Sequence, residues 1–464
     1  MTSQGDHAVK LFAPLYRVAV LTLSSGVLFG YSTASIAGWL GSIAKEFDLN
    51  TSAQEYFTFS LVISCFVGAV AAGFLARRLG RRGTLLIAFL LALLGYAGTL
   101  MHPNLFWLVG MRILIGLSVG LSSMVAPMYA GETVLARYRG GVISLFQLAV
   151  TIGILVAYTI PLWLTAPENW PLAIGGGGVI ALIGLAALAS VPESPVWLRS
   201  AHREEEAIAA THALGLPPHE PSAGHTGGDQ PVETKMSLSA FRKQLILGTT
   251  PAILVLCCGM FILQNLSGID GILYYAPTIF TELGFEPGVA ALTATFGLGL
   301  INVVATIIAI ATIDKIGRRP LAIVGGCAMV VGLAGVVAAQ MMAMPTLGLV
   351  GLCIYIAAFA ISLGPLPYIL MAELVPSSMR EMGVASASAT SWLFNALVAL
   401  FFLSGVSYFG LDGVFIFFGC ICFIMLVITV IWLPETKGTS LDEIEANVLA
   451  GVPLRHVGDA SKAK

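Results

Sequence analysis

A helix needs about 20 consecutive apolar residues to cross the hydrocarbon core of a bilayer, and this chain contains twelve runs of that kind. They lie near 16–39, 56–76, 84–101, 105–128, 140–163, 172–191, 244–267, 288–312, 320–342, 345–371, 383–407 and 411–433. Each run predicts one helix, so the expected fold is an all-α membrane protein with twelve transmembrane helices. Composition agrees: of 464 residues 57% are hydrophobic and 10% charged, against about 25% charged in an ordinary soluble protein. Mean hydropathy is +0.90. A soluble enzyme and a disordered chain are excluded. A nucleic-acid binder would need a basic surface, and the formal net charge is −2. All seven cysteines fall in apolar stretches and read as small core residues rather than disulfides or metal ligands. No P-loop, catalytic triad or metal motif occurs, so no enzyme activity, cofactor or metal is expected.

The widest gap between runs holds the polar stretch GLPPHEPSAGHTGGDQPVE and reads as a surface loop between two six-span halves. The expected organisation is a tail over 1–15, a first bundle over 16–191, the loop over 192–243, a second bundle over 244–433 and a tail over 434–464. The first 15 residues lack a basic n-region and a small-residue cleavage site, so the first span reads as retained. Lysines and arginines set the orientation. With both termini cytoplasmic, all but two of the 23 fall on the inner side. Lys45 lies in an outer loop and Arg112 within a span. The expected location is the plasma membrane. His212, His219 and His225 lie in the long loop without ligand spacing.

The two halves repeat each other. RRLGRR, ending at Arg82, recurs as DKIGRR, ending at Arg319. Glu132 stands seven residues before Arg139, and Glu373 seven before Arg380. PESP at 192 is echoed by PETKG at 434. Three motif pairs in one order at a near-constant offset indicate a duplicated six-span unit. Parallel repeats of this kind suit a transporter that rocks one half against the other around a midplane site.

The same segments, with others, form an ordered series: GYS (30–32), GFLARRLGRR (73–82), MRILIGLSVG (111–120), PMYAGETVLARYRGG (127–141), PESPVWL (192–198), QNLSGIDGILYYAP (264–277), DKIGRRP (314–320), GPLPYILMAELVPSSMR (364–380), SWLFN (391–395) and PETKGTSLDEIE (434–445). On these motifs the chain, over about 16–445, resembles the sugar porters of the major facilitator superfamily, which include glucose facilitators and proton-coupled sugar symporters. The resemblance implies the twelve-helix fold of that superfamily and alternating-access transport of a monosaccharide, a hexose such as glucose first. Another polyol such as inositol stays open, because Tyr368 stands where many glucose-specific members have tryptophan.

Turn arginines can reach carboxylates or helix C-termini. Glu132 and Glu193 are the natural partners of Arg81 and Arg82, with Arg139 close in sequence. In the second half Asp314, Arg318 and Arg319 would face Glu373, Arg380 and Glu435. Positive-inside anchoring explains the arginines but not glutamates at matching positions in both halves. The resemblance makes the set a cytoplasmic gating network. Arg77 and Val196 depart from it, standing where the family usually has Asp or Asn, and Arg.

A neutral polyhydroxylated ligand is held by amides, hydroxyls and aromatic surfaces with little fixed charge. The spans carry Gln147, Gln264, Asn265, Asn302, Tyr368, Trp392 and Asn395, although a buried amide can also join helix to helix. By resemblance these amides bond sugar hydroxyls, and Trp392 supplies an apolar wall. Tyr274 and Tyr275 resemble the family's outer gate, with an interfacial aromatic belt as the other reading. Gly268, Gly271 and Pro277 interrupt the seventh span, and Gly364, Pro365 and Pro367 the tenth.

Among ionisable residues, only Arg112 and Asp270 read as deep within spans, where each costs about 2.5–3.5 kcal/mol. Proton-coupled family members carry an acid in the first span; Ser32 stands there and cannot hold a proton. The resemblance therefore points to a uniporter, with Ser32 and Arg112 as the coupling-related positions. Asp270 lies near the repeat counterpart of Ser32. It is open to three roles: acceptor for sugar hydroxyls, relocated proton carrier, or structural ion-pair partner of Arg112 or another group. The expected partners are a small sugar, the lipid bilayer and, in the alternative, a proton.

Overall fold

The computed structural model describes residues 2–217, 248–376 and 380–459, and every regular element among them is a helix. Nine helices among the described residues are long and apolar enough to cross a membrane. Two of these, Thr51–Thr99 and Arg380–Trp432, have 49 and 53 residues. At about 1.5 Å per residue each would run more than twice the thickness of the hydrocarbon core, so each must fold back. The reversals fall at Gly80 and Gly410, where φ is +82° and +74°. A side chain at Gly80 would be strained by that backbone and would strike the Glu193 carboxylate.

Together with Thr2–Ala34, this gives twelve crossings. Crossing 1 is Thr2–Ala34; crossings 2 and 3 are the two arms of Thr51–Thr99; crossings 4 and 5 are Leu105–Thr133 and Ala136–Trp163. Crossing 6 is Pro167–Ala189, and crossing 7 is Thr250–Glu282. Crossings 8 and 9 are Val289–Ile316 and Arg318–Met342. Crossing 10 is Pro345–Met371, and crossings 11 and 12 are the arms of Arg380–Trp432. Crossing 1 packs on crossing 5, and crossing 4 on the 2–3 pair. In the second half crossing 9 packs on crossing 10, and the first part of crossing 7 on the 11–12 pair. The halves meet where crossing 8 lies on crossing 5, and the 11–12 pair on the 2–3 pair.

Small residues set the closeness of these pairs, because lipid gives no hydrophobic drive for helices to associate. At Gly30, in the GYS motif, a Cβ would fall inside the van der Waals radius of the Val150 carbonyl oxygen on crossing 5. Gly30→Val is therefore expected to destabilise the protein by about 3 kcal/mol. A thermal-shift measurement in detergent checks this, and an unchanged melting temperature would refute it.

The ends of elements differ from those marked by hydropathy. Crossing 1 stops at Ala34, and the chain turns before the short helix Leu40–Glu46. Ile36, Trp39 and Leu40 carry the apolar signal onward, but they bury themselves in the turn. The segment after Pro192 forms two short helices, Pro195–Ser200 and Glu204–Ala213, the second carrying an exposed His212. His219 and His225 lie outside the described residues. Helix Leu441–Leu449 follows crossing 12, opened by a capping box of Ser440 and Glu443. Cys65, Cys257 and Cys422 are buried, whereas Cys327 and Cys420 are on the outer face of the bundle. Apolar surroundings do not separate core from lipid, so these two are surface residues rather than core. Val324, Val331, Ile416 and Phe423 also point outward, forming a belt that lipid tails cover.

Candidate substrate site and gates

Crossings 7 and 10 are both broken at mid-length. Crossing 7 divides into Thr250–Leu266 and Ile269–Glu282, and crossing 10 into Pro345–Ile361 and Leu366–Leu374. A broken helix leaves carbonyls without their i+4 donors, and these need other partners. Gln264 supplies them: its Nε2 donates to the carbonyls of Leu363 and Gly364 at 2.9 and 3.0 Å. Its Oε1 is not used in these bonds. Asn265 Nδ2 donates to Phe261 O at 2.7 Å and to Ser391 Oγ at 3.1 Å. Ser391 also lies near the Tyr368 hydroxyl. Tyr368 packs edge-on against Phe261, with 4.8 Å between ring centres, yet stays 48% exposed.

Further along crossing 7, the Tyr274 hydroxyl donates to Asn395 Oδ1 at 2.9 Å, and the Asn395 amide lies near the half-buried Asp270 carboxylate. Trp392, one turn before Asn395, faces Phe29 of crossing 1, with ring centres 5.1 Å apart. Phe29 in turn lies near Phe146, next to Gln147 on crossing 5. Asn302 is buried on crossing 8. The second half thus places Gln264, Asn265 and Asp270 about the break in crossing 7, Tyr368 just past the break in crossing 10 and Asn395 on crossing 11, with Phe29 and Phe146 of the first half beside Trp392. Gln147 and Asn302 lie on the paired crossings 5 and 8.

Arg112 does not pair with Asp270, so the ion-pair role considered for Asp270 is corrected. Its Nε donates to Phe57 O at 2.9 Å, and its guanidinium stands 4.5 Å from the centre of the Phe57 ring. A buried cation is held here by a carbonyl and a π face. Ser32, 1% exposed, shares a 2.6 Å hydrogen bond with the Tyr96 hydroxyl.

At the arginine-rich end, the two halves build the same clasp. In the first, Arg81 Nη2 bonds Glu132 at 2.7 Å, and Glu193 accepts the backbone N–H groups of Arg81 and Arg82 at 3.0 Å. In the second, Arg318 Nη2 bonds Glu373 at 2.8 Å, and Glu435 accepts the N–H groups of Arg318 and Arg319 at 3.0 Å. Ser194 and Thr436 each donate a hydroxyl proton to the glutamate that the arginine holds. Glu193 and Glu435 therefore serve the orphan amides at the starts of crossings 3 and 9, where a negative charge is favoured. Each of these clasps is internal to its own half. The side chains of Arg139, Asp314 and Arg380 lie outside the described residues.

The opposite end is joined across the halves. The Tyr158 hydroxyl on crossing 5 donates to Leu273 O on crossing 7 at 2.6 Å. Within the second half at this same end, Tyr275 donates to Ala399 O at 2.9 Å and stacks on Phe402 at 5.1 Å. Ser404 of crossing 11 donates its N–H and its hydroxyl proton to Glu55 of crossing 2, at 2.6 and 2.5 Å. Glu55 is only 3% exposed, so Arg112 and Asp270 are not the only buried ionisable residues. Its position one residue before the predicted span had placed it in a loop. Among the described residues, no group of three or more His, Cys, Asp or Glu could hold a metal ion.

Residues 18–448 match the family model described as "Sugar (and other) transporter". The chain is 31% identical over 459 residues to the galactose-proton symporter of Escherichia coli K12, covering 96% of this chain and 97% of that one. It is 32% identical over 433 residues to the D-xylose transporter of Levilactobacillus brevis, covering 92% and 94%. A solved structure of the proton:xylose symporter XylE bound to 6-bromo-6-deoxy-D-glucose superposes with a TM-score of 0.75 at 29% identity, covering 94% of this chain and 100% of that one. With twelve crossings, two clasped halves and a match over nearly its whole length, the chain belongs to the sugar transporter family of the major facilitator superfamily: it is a multi-pass membrane transporter and not an enzyme.

Proposed function

We propose that the chain carries a monosaccharide, a hexose such as glucose, down its gradient across the plasma membrane by alternating access. The observation that carries this reading is the set of amides on the broken crossing 7 and on crossing 11, Gln264, Asn265 and Asn395, set beside the Phe29–Trp392 wall. Such a set offers donors, acceptors and a flat apolar face with little fixed charge, which is what a sugar needs. Gln147, Asn302 and Tyr368 complete the site in this reading, and halves 16–191 and 244–433 rock about it. The tails and both clasps are cytoplasmic in this reading, so the cross-half bonds at the opposite end close the outer side, with Tyr274 and Tyr275 as the outer gate. Facilitated diffusion rests on Ser32, which bonds Tyr96 where a proton carrier would stand, and on Arg112, which pairs with no carboxylate among the described residues.

One observation favours a second reading. Among the described residues Asp270 makes no ion pair; it sits beside the proposed site and belongs to a chain similar to transporters named proton symporters. In that reading Asp270 carries the proton. An inositol-like polyol would use nearly the same amides.

Labelled glucose uptake into proteoliposomes, with and without an imposed proton gradient, tests both. One proton per sugar supplies about 2.3 kcal/mol per 100 mV, enough for roughly 50-fold accumulation. Facilitated diffusion predicts uptake that stops at equal concentrations in both conditions. Accumulation that an uncoupler abolishes would move the assignment to symport.

A further inference from the structure

We infer that Glu55 is a gating residue: a carboxylate latch, seated on Ser404, that makes closure of the outer gate depend on the register of crossing 2 against crossing 11. The inference rests on the transport reading above for the meaning of the gate, but its geometry stands apart from it.

Glu55 and Ser404 are 349 residues apart, one in each half, and the carboxylate takes both protons that Ser404 can offer. Bonds to an ionised acceptor are the stronger kind, and a two-pronged pair also fixes direction. No cation pairs with Glu55 among the described residues, so its burial is tolerable only while these donors are in place. The rest of the gate uses the same segment of crossing 11. Tyr275 bonds Ala399 and stacks on Phe402, and its hydroxyl lies near Thr58, one turn beyond Glu55 on crossing 2. Second-half Tyr275 and first-half Glu55 thus both dock on residues 399–404. A half that closes out of register leaves a buried carboxylate without donors, which is expensive. Closing correctly satisfies it. When the halves part, water replaces Ser404 at little cost, so the latch acts on the closed state alone.

Pulsed EPR distances test the latch. Spin labels at Lys45→Cys and Glu286→Cys, both exposed and one in each half, report the outer opening in a background with the seven native cysteines replaced. In the absence of sugar, Glu55→Gln is expected to shift the population from closed to open distances by about tenfold. Ser404→Ala, which keeps the N–H, should shift it in the same direction by less. The double variant should go no further than Glu55→Gln. Unchanged distances in both single variants would overturn the inference. If Glu55→Gln does not fold, Ser404→Ala, which loses one hydroxyl, decides alone. Failure of the transport reading would look different: no sugar would move the distances of the labelled parent.

Discussion

Gln264→Ala is expected to weaken glucose binding about 100-fold, a loss near 2.7 kcal/mol. Two separate defects add up to this. The side chain's Nε2 holds the carbonyls of Leu363 and Gly364, at the break in crossing 10. Without it two buried acceptors lose their donor, at about 1–3 kcal/mol each. The broken helix then shifts, and with it Tyr368. The second defect is direct: Oε1, which the brace leaves unused, is the proposed acceptor for a sugar hydroxyl. Quenching of tryptophan fluorescence by added sugar reads the affinity, since Trp392 lies in the proposed wall. A thermal-shift measurement reads the brace. Reduced stability with affinity within threefold of the parent would make Gln264 a structural brace and remove it from the site.

Asp270→Asn is expected to lower sugar affinity about 30-fold, equally at every pH tested, while downhill exchange continues. The size is that of one hydrogen bond to a charged acceptor. The protein should still fold, because asparagine at 270 keeps the shape of the side chain and a carbonyl oxygen near the Asn395 amide. Counterflow of labelled glucose between pH 5.5 and 8 checks the prediction. Normal affinity together with lost gradient-driven accumulation would instead assign proton carriage to this residue.

Much of the architecture could be read from the chain because bilayer crossings announce themselves by length. Gly80 and Gly410 were harder, since a glycine inside a polar turn looks like any loop residue until its φ is known. The ion pairs Arg81–Glu132 and Arg318–Glu373 were legible through the repeat: matched carboxylates in both halves have no reason to exist without partners. That Glu193 and Glu435 bond backbone N–H groups rather than guanidinium groups was not legible, because motif letters do not show which atoms of an arginine are used. Glu55 was missed for a different reason. A hydropathy window assigns a residue to membrane or loop by its neighbours in sequence, whereas Glu55 is buried by crossing 11, 349 residues away. Ser391, which bonds Asn265 and lies near Tyr368, was hidden by its ordinariness, as a lone serine in a span usually bonds its own helix. The pairing of Arg112 with Asp270 followed from charge alone, and Phe57 answered the same need with a carbonyl and a ring.

The clasps also bear on how the chain is made. Arg81 and Glu193 are 112 residues apart, and Arg318 and Glu435 are 117 apart. A nascent chain that has reached residue 217 already holds every described partner of the first clasp, so the leading half can lock during synthesis, before the trailing half leaves the ribosome. The Glu55–Ser404 bond has to wait for nearly the whole polypeptide. Assembly would then proceed in two local steps and one long-range step, with slow docking last. Ribosome-bound chains stopped far enough past residue 217 for Glu193 to have cleared the exit tunnel should accordingly resist protease at the Arg81 turn.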